Sequence, residues 1–371
     1  MKKAIVSVIN DLVTDQRVNR TSNVLRMNGF EVTLVGRRKK NSLALDTRNY
    51  RMHRFKMLFE KGPLFYGFFN FRLFFYLLFK KANLLFANDL DTLLPNYLIS
   101  KLKGIPLIYD SHEYFTGVPE LTGRPFVQKI WKQIEKSIFP KLKHVITVNS
   151  SIADLYKTEY GKVLTIVRNI PETHTETKFK TREELGLPLN TQLIILQGSG
   201  INIQRGSEEA LEAMQYIENA LLLIVGDGDV IPLLKQKAQS DVFKNKVLFV
   251  PKQSPENLFQ YTANADLGLT LDKDTNINYR YSLPNKLFDY IHAQIPVLAS
   301  PLLEVKKIID EFQIGCCIDN HGPKHIAEKI HYMLSDAKAR ENWKKNLKLA
   351  TAKLNWEEEQ KKLTAVLLNY A

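Results

Sequence analysis

The stretch Ser282–Ser300, SLPNKLFDYIHAQIPVLAS, decides how this chain is read. A short polar turn gives way to a helix, and the helix to a buried strand. Pro284 stands where a helix begins without losing a hydrogen bond, because the first helical N–H groups have no intrahelical partner. Asn285 and Lys286 fall in the first turn, where free backbone N–H groups and the positive end of the helix dipole attract an anion. Asp289 follows Lys286 on the same helix face. The helix closes over Ile291–Gln294, and IPVLAS, apolar without alternation, reads as a strand covered on both faces. This is the layout of a site for a phosphorylated ligand. Taken alone, it is also what an ordinary helix start in an α/β domain looks like.

Outward from that stretch, strand and helix patterns alternate along the chain, the mark of a doubly wound α/β fold. AIVSVI (Ala4–Ile9) is followed by a helix that starts near Thr14 or Asp15, both good caps, buries Val18 and Leu25, and ends at Gly29. EVTLVG, ANLLFAND, IPLIYDSHE and HVITVNS read as further strands. The polar ends Asn88-Asp89, Asp110-Ser111-His112-Glu113 and Asn149-Ser150 should face one crevice, since ligands of such sheets bind beyond the carboxyl ends of the strands. VRNIPE (Val167–Glu172) and the polar THTETKFKT after it read as a hinge between domains. The second half repeats the pattern: QLIILQGSG, ALLLIVGDG, KVLFVP, ADLGLTL, IPVLAS and GCCI as strands, with helices over SEEALEAM, Ile231–Gln239 and Pro255–Ala263. From Lys324 onward the chain is helical and basic, with Trp356, Leu363 and Leu367 at helical spacing near its end.

The length of 371 residues suggests two domains, and 44% hydrophobic with 25% charged residues describes a soluble globular chain with a full core. A net charge of +13 favours an anionic partner: nucleotide, nucleic acid or acidic lipid surface. No recognised basic motif accompanies the charge, so nucleic acid is set aside. The cysteines, Cys316 and Cys317, are adjacent; such pairs seldom form a stabilising bridge and cannot make a metal site alone, which points to a reducing cytoplasm. The apolar run of MKKAIVSVIND is too short for a secretory signal. The most membrane-like segment, LFYGFFNFRLFFYLLF (Leu64–Phe79), is shorter than a spanning helix needs and contains Gly67, Asn70 and Arg72. Bounded by Lys61, Lys80 and Lys81, it suits a helix lying in a bilayer interface; a helix buried between layers fits as well.

SLPNKLFDYIHAQIPVLAS also resembles the nucleotide-sugar signature of family 4 glycosyltransferases. The resemblance implies an α/β, GT-B architecture: two Rossmann-like doubly wound domains facing across a cleft. In that family two glutamates stand eight positions apart, the second opening an E-A-M-A-x-G-x-P-V-V-A run. Asp289 matches the second, implying a contact to the donor ribose; Tyr281 occupies the first position, and the SLPNK turn resembles a known subgroup variant. QGSGINIQRGSEEAL resembles the family's glycine-rich loop with a K-G or R-G pair before a helix. Gly198 and Gly200 would let the backbone approach a phosphate, and Arg205 would add a planar fork suited to phosphate oxygens. VGDGD resembles the family's V-G-D-G strand end, placing Gly226 near the nucleotide, and KVLFVPKQSPENL resembles the segment whose main chain meets the base, with Pro251 and Lys252. YDSHEYF resembles Y-D-x-H-E, implying that His112 hydrogen-bonds a sugar hydroxyl near the reacting carbon, oriented by Asp110 and Glu113. DQRV resembles the SLPNK subgroup and places Asp15 and Arg17 on the acceptor side, Arg17 meeting an acidic acceptor or phosphate.

The resemblance thus implies an acceptor domain over residues 1–168, completed by a helix at 356–371 that crosses back, and a donor domain over 169–355. Its activity would be retaining, metal-independent transfer of a sugar from a nucleoside diphosphate to a hydroxyl of a glycan or lipid-linked glycan. His112, Arg205 and Lys286 would carry the chemistry, with interdomain closure excluding water. Surface polysaccharide or glycolipid assembly at the inner face of the cytoplasmic membrane would be the setting. Asp227-x-Asp229 and Asp272-x-Asp274 have the spacing by which other glycosyltransferases bind a divalent ion, but cations already offer to neutralise the leaving group, so neither metal nor cofactor is expected. Acids beside His112 also allow a glycosidase reading, for which the carboxylate separation is decisive. A nucleotide-sugar epimerase, or a non-catalytic nucleotide-sugar-binding subunit suggested by Tyr281, are the competing functions.

Overall fold

The computed structural model describes residues 1–40, 42–118, 121, 123–173 and 179–370. It divides into two compact units, Met1–Asn169 with Glu357–Ala371, and Ile170–Trp356. Of the hinge reading, residues 174–178 lie outside the described residues.

In the N-terminal unit the described strands are β1 (Lys2–Ser7), β2 (Phe30–Arg38), β3 (Arg51–Lys56), β4 (Leu84–Asn88), β5 (Leu107–Ser111), β6 (His144–Thr147) and β7 (Thr165–Ile166). They form one parallel sheet in the order β3-β2-β1-β4-β5-β6-β7. β1 pairs with β2 on one side and β4 on the other, so the winding reverses between β1 and β4. A crevice opens at such a reversal, beyond the carboxyl ends of the strands. β4 and β5 are buried along their whole length, as strands with helices on both faces must be. The first helix, Gln16–Met27, starts after Asp15, whose side chain accepts a hydrogen bond from the Val18 N–H, and buries Val18 and Leu25.

The helix Trp356–Leu367 and the residues after it complete this unit. Leu363, Val366 and Leu367 are buried. A Glu359 carboxylate oxygen accepts from the Arg168 N–H at 2.8 Å, and Lys2 Nζ donates to the Tyr370 carbonyl at 2.9 Å.

The second unit contains β8 (Gln192–Gly198), β9 (Ala220–Gly226), β10 (Val247–Val250), β11 (Leu267–Thr270), β12 (Val297–Ala299) and β13 (Gly315–Cys317). Their order is β10-β9-β8-β11-β12-β13, and the winding reverses between β8 and β11. Alternate residues of β8 feed two cores: Ile194 and Leu196 pack with Leu211, Met214 and Ile330, while Leu193 and Ile195 pack with Phe288, Ile291 and Ile308. That two-sided burial explains the apolar runs in the sequence.

Candidate functional site

In the C-terminal unit, the chain leaving β8 turns back at Gly206 into the helix Ser207–Ala213. Gly206 has φ +75°, and a Cβ there would stand 2.3 Å from the Leu271 carbonyl oxygen, so only glycine lets this loop lie against the end of β11. Gly226, at φ +143°, is similarly locked: its Cβ would fall 1.8 Å from the Gly198 carbonyl oxygen. A Cβ at Gly198 or Gly200 would meet only ordinary contacts, at 3.7 and 3.8 Å, so the protein's own packing does not demand glycine there.

This close approach carries Arg205 to the exit of β11. Arg205 Nη1 lies 3.1 Å from Asp272 Oδ1, and Lys286 Nζ, from the first turn of the helix Asn285–His292, lies 3.1 Å from Asp272 Oδ2. Two cations from separate loops converge on one carboxylate. Asp272 is 1% exposed, against 11% for the Lys286 side chain and 32% for that of Arg205. Burial pushes its pKa up; Lys286 and then Arg205 outweigh burial and hold it below the usual carboxylate range. The Arg205 guanidinium carbon stands 4.7 Å above the Tyr279 ring, and its Nε is buried with no hydrogen-bond partner among the described residues. The bond from the Lys273 N–H to the Gln204 carbonyl, 2.9 Å, ties the two loops together.

Asp289 is drawn toward the end of β8: Gln197 Nε2 donates to its Oδ2 at 2.9 Å, and Gln197 Oε1 accepts from Thr262 Oγ1 at 2.6 Å. Pro284 caps the helix start and Asn285 is its exposed first residue. Pro251 and Lys252 are exposed on the loop leaving edge strand β10, two strands out from β8. Asp272 and Asp274 do not act as a pair: Asp272 serves the two cations, whereas Asp274 takes Arg280. Among the described residues no three His, Cys, Asp or Glu side chains are grouped to hold a metal ion. Sequence reading missed Asp272 as a partner of Arg205 and Lys286, and missed the helix Ile277–Arg280 that supplies Tyr279.

In the N-terminal unit, the register that sets Asn88 opposite Asp110 brings the ends of β4 and β5 together at the reversal of winding. His112 is gripped there from both sides. Asp89 Oδ2 lies 3.1 Å from its Nδ1, and Asp89 Oδ1 accepts from its main-chain N–H at 2.9 Å. On the other side Nε2 is 3.4 Å from Asp110 Oδ2 and 3.3 Å from Asn88 Oδ1. Burial would lower the His112 pKa, but Asp89 and Asp110 overcome it and raise it well above the ordinary histidine range. Asp89 achieves its grip at φ +59°, ψ 164°, a conformation natural to glycine that costs an aspartate about 1–3 kcal/mol. Its neighbour Asp91 is buried with Oδ1 unpartnered; burial, reinforced by Asp89, keeps its carboxyl protonated well above the usual range.

Three acceptor-side expectations change here. Arg17 is 4% exposed and grips Asp110 with two bonds, Nε at 3.0 Å and Nη2 at 2.7 Å, while Nη1 donates to the Val167 carbonyl at 2.9 Å. It is a buried clamp, because its helix turns this face toward the sheet, and not a cation held out to an acceptor. Burial opposes ionisation of Asp110, yet Arg17 and His112 hold its pKa far below the ordinary value. Asp15 caps that helix and also accepts from Asn10 Nδ2 at 3.0 Å. Glu113, one residue past His112, is exposed, and it is Asp89 that shares with Asp110 the orienting of the imidazole.

Residues 178–350 match the family Glycosyl transferases group 1, and residues 16–170 match Glycosyltransferase Family 4. The chain is a family 4 glycosyltransferase. Its two parallel-sheet α/β domains match solved GT-B structures. Sucrose-phosphate synthase from Thermosynechococcus elongatus superposes with a TM-score of 0.80 at 16% identity, over 100% of this chain and 99% of that one. WaaG, a glycosyltransferase involved in lipopolysaccharide biosynthesis, gives 0.71 at 15% identity over 98% and 99%. Anabaena Alr3699/HepE in complex with UDP-glucose gives 0.75 at 13% identity over 100% of both chains. No curated protein sequence matches the chain. Within this glycosyltransferase, Arg205, Asp272 and Lys286 fall in the group 1 region, and the His112 cluster falls in the family 4 region.

Proposed function

We propose that this glycosyltransferase moves a sugar, with retention at the anomeric carbon and without a metal, from a nucleoside diphosphate to a hydroxyl of a glycan or lipid-linked glycan. The setting proposed is cytoplasmic assembly of surface polysaccharide or glycolipid. The observation that carries the reading is the convergence of Arg205 and Lys286 on Asp272. Two fixed cations offered to one carboxylate leave a surplus positive charge at a helix start, where an anion is already favoured. A leaving diphosphate gains charge as its bond to the sugar breaks, and preorganised donors of this kind stabilise that charge most.

The setting of His112 supports retention. With Nδ1 on Asp89 and Nε2 facing Asp110, both of which raise its pKa, it is placed to donate hydrogen bonds and not to take the acceptor's proton. Its Nε2 contacts are long, so a sugar oxygen can compete for that N–H. The departing phosphate oxygen is then the base, on the face the sugar has just left. Metal independence is supported by the cations standing where a divalent ion would neutralise the diphosphate. Alr3699/HepE was solved with UDP and with UDP-glucose, and WaaG is described as acting in lipopolysaccharide biosynthesis; these likenesses support UDP-sugars as first donors and a surface glycan as product.

A donor screen by thermal shift, with UDP-, GDP- and ADP-sugars on wild type, Arg205→Ala and Lys286→Ala, tests the site. One donor class is expected to stabilise wild type and neither variant; equal shifts in all three would remove the assignment. Turnover assays on the donor found then separate the competitors. Donor consumed without acceptor favours an epimerase, and binding without any turnover favours a non-catalytic subunit.

A further inference from the structure

The aromatic segment is a helix, Gly62–Phe79, with two unlike faces. Phe65, Phe69, Leu73 and Leu77, four apart, are buried in the N-terminal unit. The opposite face carries Leu64, Phe71, Phe75 and Phe79, exposed by 67, 61, 39 and 78%. Phe75 contacts Phe71 at 4.7 Å and Phe79 at 6.4 Å between ring centres, so the exposed rings form a continuous ridge. Only 22% of the helix is buried. An apolar ridge of this size on a soluble protein marks an interaction surface.

Charge surrounds the ridge. Lys61 precedes the helix, Lys80 and Lys81 follow it, and all three are exposed. Beside it runs edge strand β3, with Arg51 and Lys56 exposed; His53 stacks on Tyr76 at 4.8 Å, and Arg72 lies 4.9 Å over Phe55, joining strand to helix. Residues 51–81 hold seven Lys and Arg against a single acid, Glu60.

We infer that this face docks on an anionic phospholipid surface, the helix lying in the plane of the headgroups with its exposed phenylalanines inserted and Lys61, Lys80 and Lys81 on lipid phosphates. The helix, about 27 Å long, is long and apolar enough to span, but one face, Phe65, Phe69, Leu73 and Leu77, is committed to the domain core, so it lies on the surface instead. A second copy of the chain is a poorer occupant, since both helix ends are cationic and any face-to-face pairing sets lysine against lysine. Anionic headgroups meet the aromatic and the charged parts together.

Co-sedimentation of the full chain with vesicles tests this, using phosphatidylcholine alone and phosphatidylcholine with 30% phosphatidylglycerol. Wild type is expected to bind the anionic vesicles at least tenfold more tightly than the neutral ones, weakening as salt rises. Phe71→Ser/Phe75→Ser/Phe79→Ser should weaken that binding tenfold or more. Lys61→Gln/Lys80→Gln/Lys81→Gln, which leaves the rings in place, should weaken it on the order of a hundredfold, at about fivefold per cation. Circular dichroism checks that both variants are folded. No preference for anionic vesicles, or undiminished binding by both variants, overturns the inference. So does loss of wild-type self-association in the variants, by sedimentation velocity, with vesicle binding intact. The readout is sedimentation, so its outcome does not depend on the transferase reading.

Discussion

At the reversal of winding in the N-terminal unit, charges alternate: Asp89, His112, Asp110, Arg17, each neutralised by the next, with Asp110 and Arg17 withdrawn from water and Asp89 and His112 at its margin. At the equivalent place in the C-terminal unit, two cations, Arg205 and Lys286, share the single carboxylate of Asp272. The same topology thus carries a closed circuit in one half and an open, positively biased one in the other. The closed arrangement fixes the orientation of one imidazole and raises its pKa. The open one keeps a standing demand for an anion. Alternation balances the charges around an imidazole; surplus leaves a place for a phosphate.

Three changes press on that contrast. Arg17→Ala should be the most damaging, because it strands Asp110 as a buried, half-neutralised charge: about 3–5 kcal/mol of stability lost, or roughly 10 °C or more in melting of the N-terminal unit. A melting curve within a few degrees of wild type would show that the circuit is not closed as described. Lys286→Ala likewise leaves a buried carboxylate, Asp272, with a single partner, so some stability should go, but the larger mark should be on turnover of the folded enzyme, which should fall on the order of a hundredfold, close to 2.7 kcal/mol in the barrier. If stability falls and turnover of the remaining folded enzyme does not, the two circuits differ less than proposed.

The smallest effect is in pH. A histidine whose folded pKa is raised contributes stability that is complete below its unfolded value near 6.5 and is lost as pH rises through the folded value. The stability of wild type relative to His112→Gln should therefore shrink as pH rises from 7 to 9, by at most about 1.4 kcal/mol per pH unit. Urea unfolding of both proteins at several pH values measures it; a gap that holds constant or widens contradicts a charged His112. Asp110 has the opposite sign: its depressed pKa contributes above the usual carboxylate range and is lost on acidification through the folded value.

Apolar runs were readable wherever strands are buried on both faces, as in AIVSVI, ALLLIVG and the QLIILQG of β8. RMHRFK was not, because β3 is the edge of its sheet and carries cations that blunt strand-to-strand aggregation instead of an apolar run. Arg205 and Lys286 were legible from glycine and helix-start chemistry. Asp272 drew notice only for its spacing with Asp274, which was set aside as a metal pair; its partners, far along the chain, are not visible in sequence. Asp89 was missed as a partner of His112 for the same reason: the contact follows from the β4–β5 register, a product of topology. The exposed and buried faces of the aromatic helix, Phe71 against Phe69, are likewise set by which side the sheet occupies.

The last helix has a consequence for how the protein is made. Its Glu359 closes on the Arg168 N–H and its Leu363 and Leu367 fill the N-terminal core, so the first domain translated is the last to be finished. That domain stays incomplete until the helix Trp356–Leu367 has emerged from the ribosome, whereas the unit between, Ile170–Trp356, can settle while synthesis continues. A message cut short by even this one helix therefore yields a product whose opening domain lacks part of its core, a ready mark for quality-control proteases.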